Sequence, residues 1–154
     1  MLFLNQFGEG DSKSDSPVEE YTNGEDLGKA IGKDFITCTE SLVEILKKDL
    51  SIEALKTEVE KLRDKYIEIF VAYGHQKEKM DQNERMKCDQ AIWNIFSDED
   101  QKRLEIITEK INTIRSEDND LANMIANMNI ITQYADFELL KKQAPDEAKR
   151  LGVE

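Results

Sequence analysis

Apolar residues recur in alternating steps of three and four along two long segments of the chain. This spacing is typical of α-helices that are buried along one narrow face. In the first segment the face consists of Ile52, Leu55, Val59, Leu62, Tyr66, Ile69 and Tyr73. In the second it consists of Leu104, Ile107, Ile111, Ile114, Leu121, Ile125 and Met128. The pattern predicts long helices with coiled-coil-like packing.

Helix-start signals place the first two predicted helices. The first covers residues 25–48, and the second begins after Ser51, a residue type that caps helix N-termini well. The second ends near residue 73 or 80, so Gly74 is either its C-cap or a position inside it. Glycine recurs at positions 24, 28 and 32, which predicts a frayed first turn, because each interior glycine costs about 1 kcal/mol relative to alanine.

The third and fourth predicted helices also have recognisable starts. Asp81 with Glu84 resembles a capping box, and Ser97 followed by three acids is the clearest helix start in the chain. We expect the fourth helix to run unbroken over 98–134, because its apolar steps stay in phase across Asp118. The alternative is a break there, with Asp118 or its neighbour Ser116 capping a new helix.

The predicted fold class is all-α, an antiparallel bundle of three to four long helices. One glycine and no proline occur over 33–144, and no segment alternates with a period of two. The bundle is expected to occupy residues 25–154 as one domain, with short helical turns after Asp136 and Pro145. Residues 1–24 are predicted to be a flexible acidic tail, because the stretch after residue 7 is polar and rich in Gly, Ser and acids.

Charge excludes some classes of partner. The net charge is -12, and an acidic surface repels nucleic-acid phosphates and anionic lipid. No apolar run approaches the ~20 residues of a membrane span, and Met1–Phe7 lacks the basic region of an intact signal peptide. We therefore expect no nucleic acid and no membrane span. The sequence is compatible with either a cytoplasmic or an exported protein.

No group of residues predicts catalysis, a metal or a cofactor. The single histidine, His75, rules out a di-iron carboxylate bundle and a Cys–His nucleophile, and it is expected to lie near a helix end. Cys38 and Cys88 are read as two buried free thiols, the alternative being one disulfide between the first and third helices. Trp93 is expected in the core at one end of the bundle.

Two surfaces are candidates for binding a partner. The first is a face of the fourth helix with amide and small side chains, namely Asn119, Ala122, Asn123, Ala126 and Asn127. The competing interpretation is that alanine and methionine line the core there while asparagine faces water. The second is an apolar docking segment at the start of the tail, formed by Leu2, Phe3, Leu4 and Phe7.

A helical bundle without convergent reactive groups is typical of a binding protein. We expect a non-enzymatic protein-interaction module, such as an adaptor, an inhibitor or a chaperone-like binder. Its partner would be another protein or a second copy of this chain. The alternative is an exported, tail-tethered helical domain that binds a small ligand or lipid between its helices.

Overall fold

A computed structural model describes residues 16–153, and within that range the fold is all-α, as predicted. The described chain contains seven α-helices and a 3₁₀ segment (Met128–Ala135), with no strand among residues 16–153. The helices are α1 (Gly24–Lys47), α2 (Ile52–Glu78), α3 (Gln82–Asn94), α4 (Asp98–Arg115), α5 (Asn119–Asn127), α6 (Phe137–Gln143) and α7 (Pro145–Arg150).

The two longest helices, α1 and α2, begin within a residue of the predicted positions. Ser51 caps α2 by accepting a hydrogen bond from the Ala54 amide. Gly74 lies inside α2 and is not a C-cap. A Cβ atom there would lie 2.7 Å from Cζ of Phe137, so the missing side chain makes room for that ring.

The predicted continuous helix over 98–134 is wrong. The helix ends at Arg115, and Asp118 caps α5 by accepting a hydrogen bond from the Leu121 amide at 3.0 Å. A carboxylate at this position offers the backbone an alternative to the helical bond, and the chain turns. After the turn α5 packs back on α4, with Ile125 against the face that contains Ile107. The regular apolar spacing from Leu104 to Met128 is therefore compatible with this helical hairpin as well as with one continuous helix.

The elements form four legs of an up-and-down bundle. α2 runs antiparallel to α1, with Asp34 beside Tyr73. α3 and α4 follow each other along α1 in its own direction, since Phe96 contacts Phe35 and Arg103 lies 3.8 Å from Glu40. α5 and the 3₁₀ segment return along α4 and α2 as the fourth leg. Two legs are thus assembled from short elements, where the sequence predicted long helices.

The first turn of α1 is closely packed, so the predicted fraying is wrong. Gly24, Gly28 and Gly32 face α3, and a Cβ atom at the first two would overlap the carbonyl oxygens of Glu84 and Cys88. Asp81 caps α3 as expected, but the Glu84 carboxylate accepts from the Gly24 amide at 2.8 Å, so it caps α1. Backbone proximity at these glycines fixes the distance between α1 and α3.

Packing on α1 also explains the position of Trp93. α3 turns Cys88 and Ala91 toward α1, and Trp93 lies on the opposite side of the helix. Its side chain is 72% exposed, so the prediction of a core tryptophan is wrong. Cys88 and Cys38 are both buried and free, which confirms the prediction of two unbridged thiols.

The described part of the predicted tail, residues 16–23, contacts the helices. The Gln76 side chain donates to the Glu19 carbonyl at 2.7 Å and accepts from the Tyr21 amide at 2.9 Å. The Tyr21 ring lies 6.3 Å from that of Tyr73. These contacts hold the chain against α2 where the sequence predicted a tether.

Candidate functional site

A groove of about 670 Å³ opens between the third and fourth legs, and we call it the Trp93 groove. One wall is formed by α3 and the start of α4, and the other by the 3₁₀ segment and α6. α1 forms the floor with Ile31, Phe35 and Thr39. The groove exists because the glycine contact draws α3 onto α1, and within residues 16–153 α3 has no comparable interface with α6.

Large apolar side chains converge on the rim of the Trp93 groove. Trp93 is 72% exposed, Ile130 48% and Leu139 38%. The described residues include only two other exposed large apolar side chains, Met86 and Ile106, and neither lines the groove. Exposed apolar side chains that converge on one concavity are typical of a binding surface, whereas single ones are ordinary.

Aromatic rings connect the rim to the floor. Trp93 and Phe96 meet edge to face, with ring centroids 6.1 Å apart. Phe96 meets Phe35 on the floor in the same way at 5.7 Å. Ile92 and Leu104 complete this apolar wall. The packed rings give one side of the groove a fixed shape before any partner binds.

A buried ammonium group closes one end of the groove. Lys77 Nζ lies 2.6 Å from Asp89 Oδ1 and 3.2 Å from Asp136 Oδ2. Burial lowers the pKa of Lys77, but the hydrogen bond to Asp89 and the charges of both carboxylates outweigh it and raise the pKa above its ordinary value. Lys77 is therefore a charged structural group and not a nucleophile at neutral pH.

Beyond this cluster lies a smaller pocket of about 160 Å³, which shares Lys77, Asp89 and Asp136 with the groove. Glu78 and Glu138 add two more carboxylates to its lining. Arg85 also lines it, and its guanidinium donates to the carbonyl oxygens of residues 77 and 78. Carboxylates therefore outnumber cations at this end of the groove.

The far end of the groove is fixed by the start of α4. The Asp100 carboxylate accepts from both the amide and the hydroxyl of Ser97, so the predicted helix start is present. It also pairs with Arg103. Asp100 is thus engaged by its own helix, while Asp89 keeps its side chain 56% exposed.

The residues predicted as a partner face lie elsewhere. Asn119, Asn123 and Asn127 are exposed on α5, whereas Ala122 is fully buried in the core and Ala126 partly buried. Arg115 donates to both Asn119 and Asn123, at 2.8 and 2.9 Å. Binding by this face stays a prediction, and Ala122 is not accessible to a partner. The predicted docking segment of Leu2, Phe3, Leu4 and Phe7 lies outside the described residues.

A second groove of about 820 Å³ borders this face. It contains Asn123 and Asn127, and polar side chains from α2 and α7 form much of its lining. Within it Glu147 accepts from the Tyr134 hydroxyl at 2.9 Å and from Arg150. Ile130 is the only exposed large apolar side chain of the described residues that lines it, whereas three line the Trp93 groove, so the Trp93 groove is the stronger candidate site.

Sequence reasoning missed the Trp93 groove for identifiable reasons. The sequence places Trp93 among apolar residues and so predicts a core position for it, and Ile130 and Leu139 belong to neither apolar series. Asp89 and Asp136 lie 47 positions apart, and only the fold brings them to Lys77. One signal in the sequence could have indicated that Trp93 is exposed. Asp89 and Gln90 precede Trp93 by four and three residues, so the three side chains share one helix face, and that face differs from the one that contains Cys88.

Comparisons of the chain with family models, with curated proteins and with solved structures give no match. Among residues 16–153 no helix is both long and apolar enough to cross a bilayer. The same residues contain no group of three or more His, Cys, Asp or Glu side chains arranged to hold a metal ion.

Proposed function

We propose that this protein is a non-enzymatic protein-interaction module that binds an apolar segment of a partner protein in the Trp93 groove. The observation that carries the proposal is the convergence of Trp93, Ile130 and Leu139 on one groove. Tryptophan is enriched among the residues that dominate binding energy at protein interfaces.

The energetics favour occupation of this groove. Burying a large apolar side chain is worth about 1.5–3 kcal/mol. Three rim side chains and the matching anchors of a partner therefore provide enough to offset part of the cost of association. The packed Phe35–Phe96 pair requires no rearrangement, which keeps that cost low.

The chemistry of the groove favours binding over catalysis. The only lysine that lines it, Lys77, is held in its charged form by two carboxylates. Burial raises the pKa of the nearby Cys88 thiol to about 11, so it is protonated at neutral pH. Neither group is available as a nucleophile.

The test is affinity capture from a lysate of the source organism with two matched variants. Leu139→Asp places a charge on the rim of the groove, and Ile106→Asp places one at a site of nearly equal exposure outside it. We expect a stoichiometric protein partner with the wild type and with Ile106→Asp. With Leu139→Asp its recovery should fall by more than tenfold, about 1.4 kcal/mol or more.

Two outcomes would count against the proposal. A partner recovered equally well with both variants would place the interface elsewhere, and the α5 face would be the next surface to test. Recovery of a small molecule or lipid without any protein, lost on Leu139→Asp, would favour the ligand-binding alternative. Circular dichroism of both variants establishes that each is folded.

A further inference from the structure

We infer that the segment bound in the Trp93 groove is an amphipathic helix that carries basic residues at the end facing Lys77. This inference rests on the proposed function and adds the chemistry of the partner. It draws on two independent observations, the helical geometry of the groove lining and the excess of carboxylates at one end.

The lining presents helical faces on three sides. Ile31, Phe35 and Thr39 on the floor recur every fourth residue of α1. One wall adds Ile92 and Trp93, which follow Asp89 on α3 by three and four residues, and the other adds Leu139 and Gln143, four residues apart on α6. Side chains in such rows form ridges, and a further helix packs its own ridges between them. The groove is thus an open helix position in the bundle.

A helix also suits the backbone chemistry of this site. A segment bound as a β-strand gains most of its affinity by pairing with the edge of a sheet, and residues 16–153 contain no strand. A helix satisfies its own amide and carbonyl groups, so it needs only side-chain contacts. Apolar residues spaced at i, i+3, i+4 and i+7 would reach Trp93, Ile130 and Leu139 from one face.

The charges orient the partner helix. Asp89, Asp100 and Asp136 line the groove with Lys77 as its only cation, and Glu78, Glu138 and Arg85 follow in the adjoining pocket. Asp100 is already paired with Arg103, and Glu138 lies 3.7 Å from Lys141, but Asp89 and Asp136 share the single charge of Lys77 and together keep one uncompensated negative charge. Asp89 is 56% exposed and Glu138 79% exposed, so both are accessible to a cationic side chain. A lysine or arginine at the end of the helix would pair there.

Trp93 provides a direct readout because it is the single tryptophan of the chain. The probes are three amphipathic helical peptides of about 15 residues, made of leucine with lysine, with glutamine or with glutamate. A fourth peptide has the leucine–lysine composition in a scrambled, non-amphipathic order. Titration of each into the full chain is followed by the emission wavelength and intensity of Trp93.

We expect the leucine–lysine helix to shift Trp93 emission to the blue and to bind about tenfold or more tightly than the leucine–glutamate helix. The scrambled peptide should leave the emission unchanged. Added salt should weaken binding of the lysine peptide. Glu138→Gln should weaken it about two- to fivefold, as for one exposed ion pair, and Glu109→Gln on the outer face of α4 should have no effect.

The outcomes separate this inference from the proposed function. Equal binding of the lysine and glutamate helices, or no effect of Glu138→Gln, would overturn the inferred charge preference while leaving the groove as a binding site. If no amphipathic helix perturbs Trp93, the inferred helical partner is wrong. Loss of the captured partner on Leu139→Asp would still support the proposed function in that case.

Discussion

Glu147 connects two side chains, those of Tyr134 and Arg150, on the C-terminal side of the molecule. It accepts hydrogen bonds from the Tyr134 hydroxyl at 2.9 Å and from Arg150 Nε at 2.9 Å. The bonds from Arg150 lower the pKa of Glu147, burial opposes them, and Tyr134 reinforces them. Burial and the bond to Glu147 raise the pKa of Tyr134 to about 12.

Because its pKa is lowered in the folded protein, the contribution of Glu147 to the free energy of unfolding depends on pH. Because its folded pKa lies below its unfolded value of about 4.3, the stabilisation is present above that pH and disappears as the pH falls through the folded pKa. Glu147→Gln should lower the free energy of unfolding by about 1 kcal/mol at pH 7 and by much less near pH 3. Urea unfolding at both pH values tests this, with Glu109→Gln as the control. An equal loss at both values would show that charge is not involved.

The two thiols should be unreactive in the folded protein. Cys38 is 1% exposed and Cys88 0%. Burial raises the pKa of Cys38 to about 12 and that of Cys88 to about 11, so neither forms a thiolate near pH 8. A disulfide-exchange colorimetric reagent should titrate no thiol in native protein and both in denaturant without a reductant. Rapid labelling of the native protein, or no labelling after denaturation, would contradict this account.

Local chemistry is what the sequence predicts well at this scale. Ser51 and Asp136 cap the helices that follow them by accepting from an amide three residues on, and the Ser97 amide donates to the Asp100 carboxylate, because such local bonds need no other part of the fold. Trp93 could not be placed in the same way. Its exposure depends on which side of α3 meets α1, and that is decided by glycines more than 60 positions earlier.

Close packing at the glycines of α1 is the main constraint between elements. A Cβ atom at Gly28 would overlap the Cys88 carbonyl and lie 2.7 Å from Cβ of Ala91. Gly28→Ala should therefore destabilise the protein by about 1–3 kcal/mol, although alanine favours the helix by about 1 kcal/mol. The measurement is urea unfolding, with Thr37→Ala at an exposed site of α1 as the control. A stabilised Gly28→Ala variant would show that the two helices are not in close contact.

Lys77 connects three elements, because it lies on α2 and pairs with Asp89 of α3 and Asp136 at the start of α6. Lys77→Met keeps the volume but leaves two carboxylates without their cation. We expect a loss of about 2 kcal/mol in the free energy of unfolding, typical of hydrogen bonds to charged groups. Lys61→Met, at an exposed pair with Glu58, should change the stability by less than about 0.5 kcal/mol. Equal effects of the two variants would contradict the structural role of Lys77.

The break between α4 and α5 shows the limit of periodicity at the scale of elements. The apolar steps continue in phase through Asp118, and this periodicity by itself predicts one helix. Side-chain capping decided the outcome, since Asp118 accepts from the Leu121 amide. α4 and α5 then bury their apolar faces against each other. The apolar spacing within each helix is the same whether that helix packs on its neighbour or on a helix far away in the chain.

At the scale of the whole molecule, the fold class could be predicted from the sequence and the groove could not. Composition and apolar spacing are sufficient for an all-α prediction, because each helix carries its own pattern. The groove is the space left between the third and fourth legs, because α3 packs closely on α1 while the fourth leg packs on α2. Its lining combines six elements, and its polar end joins Lys77 to carboxylates on α3 and at the start of α6.

The most direct test of the account is whether a bound partner covers Trp93. Fluorotryptophan incorporated into this chain gives one fluorine resonance, because the chain has a single tryptophan, and an unlabelled partner contributes none. The account predicts that adding the captured partner shifts this resonance and reduces its sensitivity to a soluble paramagnetic quencher. The Leu139→Asp variant should show neither change. A stoichiometric complex in which the resonance stays in place, with Trp93 as accessible as in the free protein, would contradict the Trp93 groove as the binding site.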